Sequence, residues 1–177
     1  MLSKVRHFVP TSDFSSVYYA IFSSHMIYGA QTWGQSIDTH TEKVFNIQNR
    51  AIRTITFSDF HADPDPMYKM LKILKLEDLI TLQNVLFVYD QLKKSLPVCF
   101  DSYFTKLSDM HNINTVNSEL GCIFTPYLST TKYGLNSITR KCIDSWNGFC
   151  RLFKMDLSTL SRPCLKIRIQ NFFLDGY

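Results

Sequence analysis

The sequence predicts a mainly α-helical fold: a bundle-like assembly of about five to six helices, with at most a small strand pair around residues 120–135. Two observations carry that expectation. Apolar residues recur at steps of three and four through every long apolar segment, which is the period of a buried helix face. In addition, 45% of the 177 residues are hydrophobic and 14% aromatic, with 14 Phe and 9 Tyr. A disordered chain does not carry that much apolar material, and a chain of this length can bury one real core or two small ones. The aromatic content is rich for a small monomer and points to a seam that a neighbouring domain covers.

The first element follows Thr11-Ser12-Asp13, with the Ser12 hydroxyl as the expected N-cap. Phe14, Val17, Tyr18, Ile21, Phe22, His25 and Tyr28 form its apolar stripe, and Gly29 and Gly34, with Trp33 between them, end it. Before it, Met1 to Val9 reads as the tail of a helix stopped by Pro10, the start expected of a chain cut from a longer reading frame. A second helix is expected from Asp38 or Thr39 to Ile55. Val44, Ile47, Ala51 and Ile55 lie on its buried side, and Lys43, Asn46, Arg50 and Arg53 on another. After a polar loop, Asp65 as N-cap and Pro66 at the first helical position start a short helix to about Leu74.

Leu76 to about Lys94 is the longest predicted helix. Leu79, Leu82, Leu86, Tyr89 and Leu92 make its stripe, Val85 and Val88 widen it toward all-round burial, and Lys93 and Lys94 suit its C-terminal dipole. Ser95-Leu96-Pro97 breaks the helix and divides the chain into 1–96 and 97–177. A short irregular piece around Cys99–Phe104 follows. Asn112, Asn114, Asn117, Ser118 and Gly121 then signal loop, with candidate strands at Gly121–Thr125 and Tyr127–Thr131. A helix from near Ser137 carries Ile138, Cys142, Ile143, Trp146 and Phe149. The last runs from about Thr159 to Leu174, with Leu165, Ile169, Phe172 and Phe173 as its apolar side.

Net charge is a mild +4, but it is uneven. Residues 1–56 hold five Lys/Arg against three Asp/Glu, residues 57–110 six against eight, and residues 111–177 eight against four. A basic tail section beside an acidic middle suits polyanion contact, although such charge most often solvates helix faces. The five cysteines include no Cys-x-x-Cys pair and none near a His pair, as a zinc knuckle would need. Their odd number, with no signal peptide and no stretch of some 18 apolar residues to span a membrane, predicts reduced thiols in an intracellular protein of the nucleus or cytoplasm.

The familiar catalytic arrangements are missing from the string. There is no Gly-x-x-x-x-Gly-Lys loop, no Gly-x-Gly-x-x-Gly, no Gly-x-Ser-x-Gly elbow and no His-Glu-x-x-His pair. No Asp-Asp pair offers the carboxylates of a two-metal polymerase site. Asp59, Asp63 and Asp65 with His61 invite a metal reading, but loop and helix-cap duty explains them better. His25, on the apolar stripe, is expected to be a hydrogen-bonded core histidine. The sequence therefore predicts no catalytic residue, no metal and no cofactor. What remains is nucleic-acid contact through Lys43, Arg50 and Arg53 on one helix, and through the tail cations, Arg140 and Lys141 first among them, interleaved with Trp146, Phe149 and Phe153. Cations neutralise phosphates and aromatics stack on bases; from spacing alone, however, core aromatics and a solvated cationic face are the better description.

Several motifs in succession resemble one family. Val17-Tyr18-Tyr19-Ala20-Ile21-Phe22-Ser23-Ser24-His25-Met26-Ile27-Tyr28-Gly29-Ala30-Gln31-Thr32-Trp33-Gly34 resembles the segment after the catalytic palm in non-LTR (LINE-type, jockey- and CR1-like) retrotransposon reverse transcriptases. Its companion there is a glutamine-asparagine-basic helix, matched by Ile47-Gln48-Asn49-Arg50-Ala51-Ile52-Arg53-Thr54-Ile55. Further matches are Met67 to Leu79, Leu96-Pro97-Val98-Cys99-Phe100, Tyr133-Gly134-Leu135-Asn136-Ser137-Ile138, Trp146-Asn147, and the closing Phe172-Phe173-Leu174-Asp175-Gly176-Tyr177.

The chain departs from the pattern where His111 is followed by Asn114-Thr115-Val116 rather than a Thr-Arg pair, and where Gly148-Phe149 replaces Leu-Pro. The resemblance implies a thumb-like region at 1–96 and an accessory region with basic tail helices at 97–177. It implies a non-catalytic C-terminal fragment of an RNA-directed DNA polymerase that grips an RNA/DNA template–primer duplex through its backbone, beside a missing palm domain. The alternative is a host-retained or decayed helical protein-interaction module with no nucleic-acid role.

Overall fold

The structure is a computed structural model that describes residues 8, 10–34, 38–110, 115–124, 131, 134 and 137–177. The expected helical tail at 1–9 other than Phe8, the Ser12 side-chain cap, His111, the strand residues 125–130, and the motif residues Tyr133, Leu135 and Asn136 lie outside the described residues. The fold is mainly α-helical. Among the described residues β-structure amounts to an isolated antiparallel bridge between Lys106 and Ile123. Two compact units form, Met1–Ile80 with Gln170–Tyr177, and Thr81–Ile169. The division falls inside a continuous helix rather than at Pro97, because long-range packing defines a unit whereas Pro97 only breaks the local chain.

In the first unit, helix α1 (Thr11–Val17) runs into a π-helical stretch (Tyr18–Ser23) and on into α2 (Ser24–Ile27). A π turn holds one extra residue, so it rotates everything beyond it. The buried residues are accordingly Phe14, Tyr18, Ser23, Met26 and Ala30, at steps of four, five, three and four. The stripe expected at an unbroken helical period is corrected here: Ile21 and His25 are exposed, and Tyr28 is 86% exposed. Gly29 then takes a left-handed φ of 64°, which favours glycine, before the short α3 (Ala30–Trp33). The Trp33 indole donates to the Tyr28 carbonyl at 3.0 Å. A Cβ on Gly34 would stand 2.4 Å from the Ala30 oxygen and 2.9 Å from the Ile80 side chain, so the close approach requires glycine.

Helix α4 (Asp38–Ile55) buries Gln48, Asn49, Ala51, Ile52 and Ile55. Ala51 and Ile55 are buried as expected. Val44 is half-buried, and Ile47 is 57% exposed, which corrects the predicted face. Helix α5 (Asp65–Leu71) begins one residue earlier than expected, with Pro64 at the cap position. Its end is a left-handed Lys72, φ 54°, whose N–H reaches the Lys69 carbonyl. Phe14, Tyr18, Ile52, Ile55, Tyr68 and Ile73 form the core of this unit, with Phe22, Met67, Leu71 and Tyr177 packed against it. Helix α6 (Leu76–Leu92) leaves the first unit at Ile80 and is buried on nearly all sides, as its sequence predicts.

The second unit holds the rest of α6, the 3-10 turn Val98–Phe100, α7 (Leu107–Met110), α8 (Val116–Glu119), α9 (Ile138–Phe153), a 3-10 turn Leu157–Thr159, and most of α10 (Arg162–Asp175). Thr115 and Ser118 form a capping box on α8, and the Ser137 hydroxyl caps α9 by accepting from the Arg140 N–H at 3.3 Å. On α9, Trp146 donates to the Gly121 carbonyl at 3.0 Å. Its neighbour Asn147 accepts from the Ile123 N–H at 2.7 Å and donates to the Ile123 carbonyl at 3.0 Å. The amide thus satisfies the N–H and carbonyl of Ile123 on the edge away from its bridge to Lys106, where a second strand would otherwise pair. Below it, Lys106 binds Asp156 at 2.8 Å and Ser158 at 2.7 Å. Gly121, φ 68°, makes room: a Cβ there would fall 2.3 Å from the Asp156 carboxylate.

Candidate nucleic-acid interface

Helix α4 is oriented by its polar residues as much as by its apolar ones. Buried Gln48 donates both to the Tyr18 hydroxyl and to the Leu74 carbonyl at 2.9 Å, and Asn49 accepts from the Tyr68 hydroxyl at 2.7 Å. A buried amide group without a partner costs on the order of 1–3 kcal/mol, so these bonds favour the observed rotation of the helix, with the Gln48 Oε1 buried and unpartnered among the described residues. Burial pushes the Tyr18 hydroxyl up to about 12, against the opposing pull of the Gln48 hydrogen bond, so it stays protonated. Tyr68 is likewise raised by burial.

With Gln48 and Asn49 inward, Lys43 and Arg50 are exposed, together with His40, Asn46 and Ile47. Seven positions are two helical turns, so Lys43 and Arg50 share a face about 10 Å apart. Arg53 does not join them. Three residues past Arg50 it has turned about 60° around the helix, is half-buried, and donates from Nε to the Ala62 carbonyl at 2.8 Å. The solvent-facing trio expected from the sequence is therefore a pair, because the loop after α4 needs a donor and Arg53 supplies it.

In the second unit Arg140 and Lys141 follow the Ser137 cap of α9. Arg140 binds Asp144 one turn on at 2.8 Å, while Lys141 is exposed. Other tail cations have internal tasks: Arg162 grips Asp90 through two hydrogen bonds of 2.8 and 3.0 Å, Arg151 donates to Asn117, and Arg168 lies 4.9 Å from the Phe153 ring centre. Trp146 and Phe149 are buried. Those aromatics are core, so base stacking on them is not open to the tail.

The acidic loop is structural. Asp63 accepts from the Asp65 N–H at 3.1 Å, Asp59 from the His61 N–H at 3.4 Å, and Asp65 pairs with Lys75 at 2.9 Å. Among the described residues no three His, Cys, Asp or Glu side chains gather as metal ligands. Cys122, Cys142 and Cys150 are buried and Cys99 and Cys164 exposed, all as free thiols. Burial pushes the Cys142 thiol up to about 12, the reverse of what a nucleophile needs. No helix among the described residues is long and apolar enough to cross a membrane.

Beside the cationic pair the structure opens a feature that the sequence did not disclose. Ile21, Phe22, His25, Met26, Trp33, Val44 and Ile47 line an open groove of about 440 Å³. Periodicity places five of these, Ile21, Phe22, His25, Val44 and Ile47, on buried stripes; the π turn together with the inward amides of α4 leaves Ile21, His25 and Ile47 exposed and Phe22 and Val44 half-buried. Gln48 and Asn49 are adjacent to the basic residues in the string and carry no apolar signal there, so their burial is disclosed only by the structure.

Compared with family models, with curated proteins and with solved structures, the chain finds no match.

Proposed function

We propose that the chain is a non-catalytic C-terminal segment of a non-LTR retrotransposon type of RNA-directed DNA polymerase, and that it holds template–primer nucleic acid beside a separate palm domain. One observation carries the reading: the glutamine-asparagine-basic motif has a physical logic. Gln48 and Asn49 lock α4 from inside, and the lock leaves Lys43 and Arg50 exposed on one face. Two cations at a fixed spacing on a rigid helix suit backbone phosphates and carry no sequence preference. Lys141 supplies a further exposed cation in the second unit, and Arg140 a weaker one because Asp144 already neutralises it. The segment acts without chemistry of its own.

A filter-binding titration of an RNA–DNA duplex at two salt concentrations tests this. Two phosphate contacts give a slope of about −2 in log affinity against log salt. Lys43→Ala/Arg50→Ala flattens that slope with the fold intact, since alanine propagates helices at least as well. Arg53→Ala leaves the slope unchanged and destabilises the loop instead. Equal binding by wild type and the double variant overturns the proposal. The groove favours a second reading, a helical module that binds protein.

A further inference from the structure

We propose that the groove of the first unit is the docking site for an acidic amphipathic helix of a partner protein. The inference stands on the groove and not on the nucleic-acid reading. Four of its seven lining residues are aliphatic or sulfur-containing, Ile21, Met26, Val44 and Ile47, and Phe22, His25 and Trp33 complete it. Aliphatic walls suit leucine-like anchors at helical spacing, the mode in which amphipathic helices enter grooves. A nucleobase gains its stacking energy from π faces, which most of this lining lacks.

Charge selects the partner's sign. Lys43 stands four positions before Ile47 and Arg50 three after, so both cations sit one turn away along the same exposed stripe of α4. The nearest acid on that helix, Glu42, is turned about 140° from Ile47 and lines a different depression with Thr41, Phe45, Leu76 and Glu77. The apolar groove thus has a cationic rim on α4, and carboxylates about 10 Å apart on a docked helix reach both charges. Complementary charge of this kind sets partner choice and suppresses basic competitors.

The test uses the full chain and two labelled synthetic peptides that share leucines at helical spacing, one with glutamate and one with lysine at the remaining positions. Fluorescence anisotropy is expected to show the glutamate peptide binding at least tenfold tighter. Ile21→Gln/Ile47→Gln and Lys43→Ala/Arg50→Ala each weaken it at least tenfold, while Lys93→Ala/Lys166→Ala, which removes two exposed cations elsewhere, leaves it unchanged. All four replaced groove and rim side chains are exposed, and circular dichroism melts check that folding is retained; if the isoleucine variant melts early, the rim variant alone decides. Three outcomes overturn the proposal: equal affinity for both peptides, undiminished binding by either variant, or loss of a single-stranded oligonucleotide rather than the peptide on replacing the isoleucines. A fourth is self-association of the wild type in sedimentation that Ile21→Gln/Ile47→Gln abolishes, which makes a second copy of the chain the occupant.

Discussion

Ile47 and Ile52 are chemically identical and five positions apart on one helix, yet they meet opposite surroundings. Ile52 is fully buried in the first core, whereas Ile47 is 57% exposed at the groove. Ile52→Glu buries an unpaired charge and is expected to unfold the first unit, whereas Ile47→Glu shifts the melting temperature by no more than a few degrees, a difference that circular dichroism resolves. Asn147 shows the converse, a polar side chain that the core cannot lose. Asn147→Ala strands the buried N–H and carbonyl of Ile123, and urea titration is expected to show a loss of about 2–4 kcal/mol. Neither contrast is visible in the residue types. Only their partners decide it.

At the scale of elements, most helices were legible, since α4, α5, α6, α9 and α10 stand close to where periodicity and breakers put them. The π turn was not. Nothing in Tyr18–Ser23 breaks a helix, and the extra residue is selected by what α1 and α2 must each bury. Its nature as an insertion yields a test. Deleting exposed Ala20 restores an α-helical turn while Met26 and Ala30 keep their places in the packing, so the variant is expected to fold with its melting midpoint nearly unchanged. Deleting Ser16 from α1 instead rotates Phe14 against Tyr18 by about 100° and is expected to abolish cooperative melting. Equal behaviour of the two deletions in a thermal melt would refute the account.

At the scale of the molecule, one carboxyl in each unit is shifted, and the two shifts have opposite signs. Burial raises Asp156, but hydrogen bonds from Lys106 and Ser158 outweigh it and hold the carboxyl below its ordinary value of 3.8. Its contribution is present above 3.8 and is lost as pH falls through the lower value in the fold. Asp78, in the first unit, is raised above 3.8 by burial, despite the hydrogen bond from the Tyr177 hydroxyl. Its favourable share is present below 3.8 and is lost as pH rises through the higher value. Acidification is therefore expected to weaken the second unit selectively. Fluorescence of buried Trp146 in a Trp33→Phe background follows that unit, and Lys106→Met/Asp156→Leu removes the acid-sensitive share. An acid midpoint unchanged by the double substitution would contradict this assignment.

Periodicity, composition and breakers determined that this protein is mainly helical and roughly where its long helices lie, because those properties depend on neighbours three and four residues apart. The pairing of Gln48 and Asn49 with Tyr18 and Tyr68, the diversion of Arg53 to Ala62, and the service of Asn147 as a stand-in strand were decided only by tertiary structure. Each joins positions distant along the chain or depends on a register that local propensity does not encode. The candidate interface follows the same division: the cations are readable in the string, but which of them face outward, and that a groove lies beside them, depends on how α4 is rotated. That rotation is set by two buried amides and one π turn.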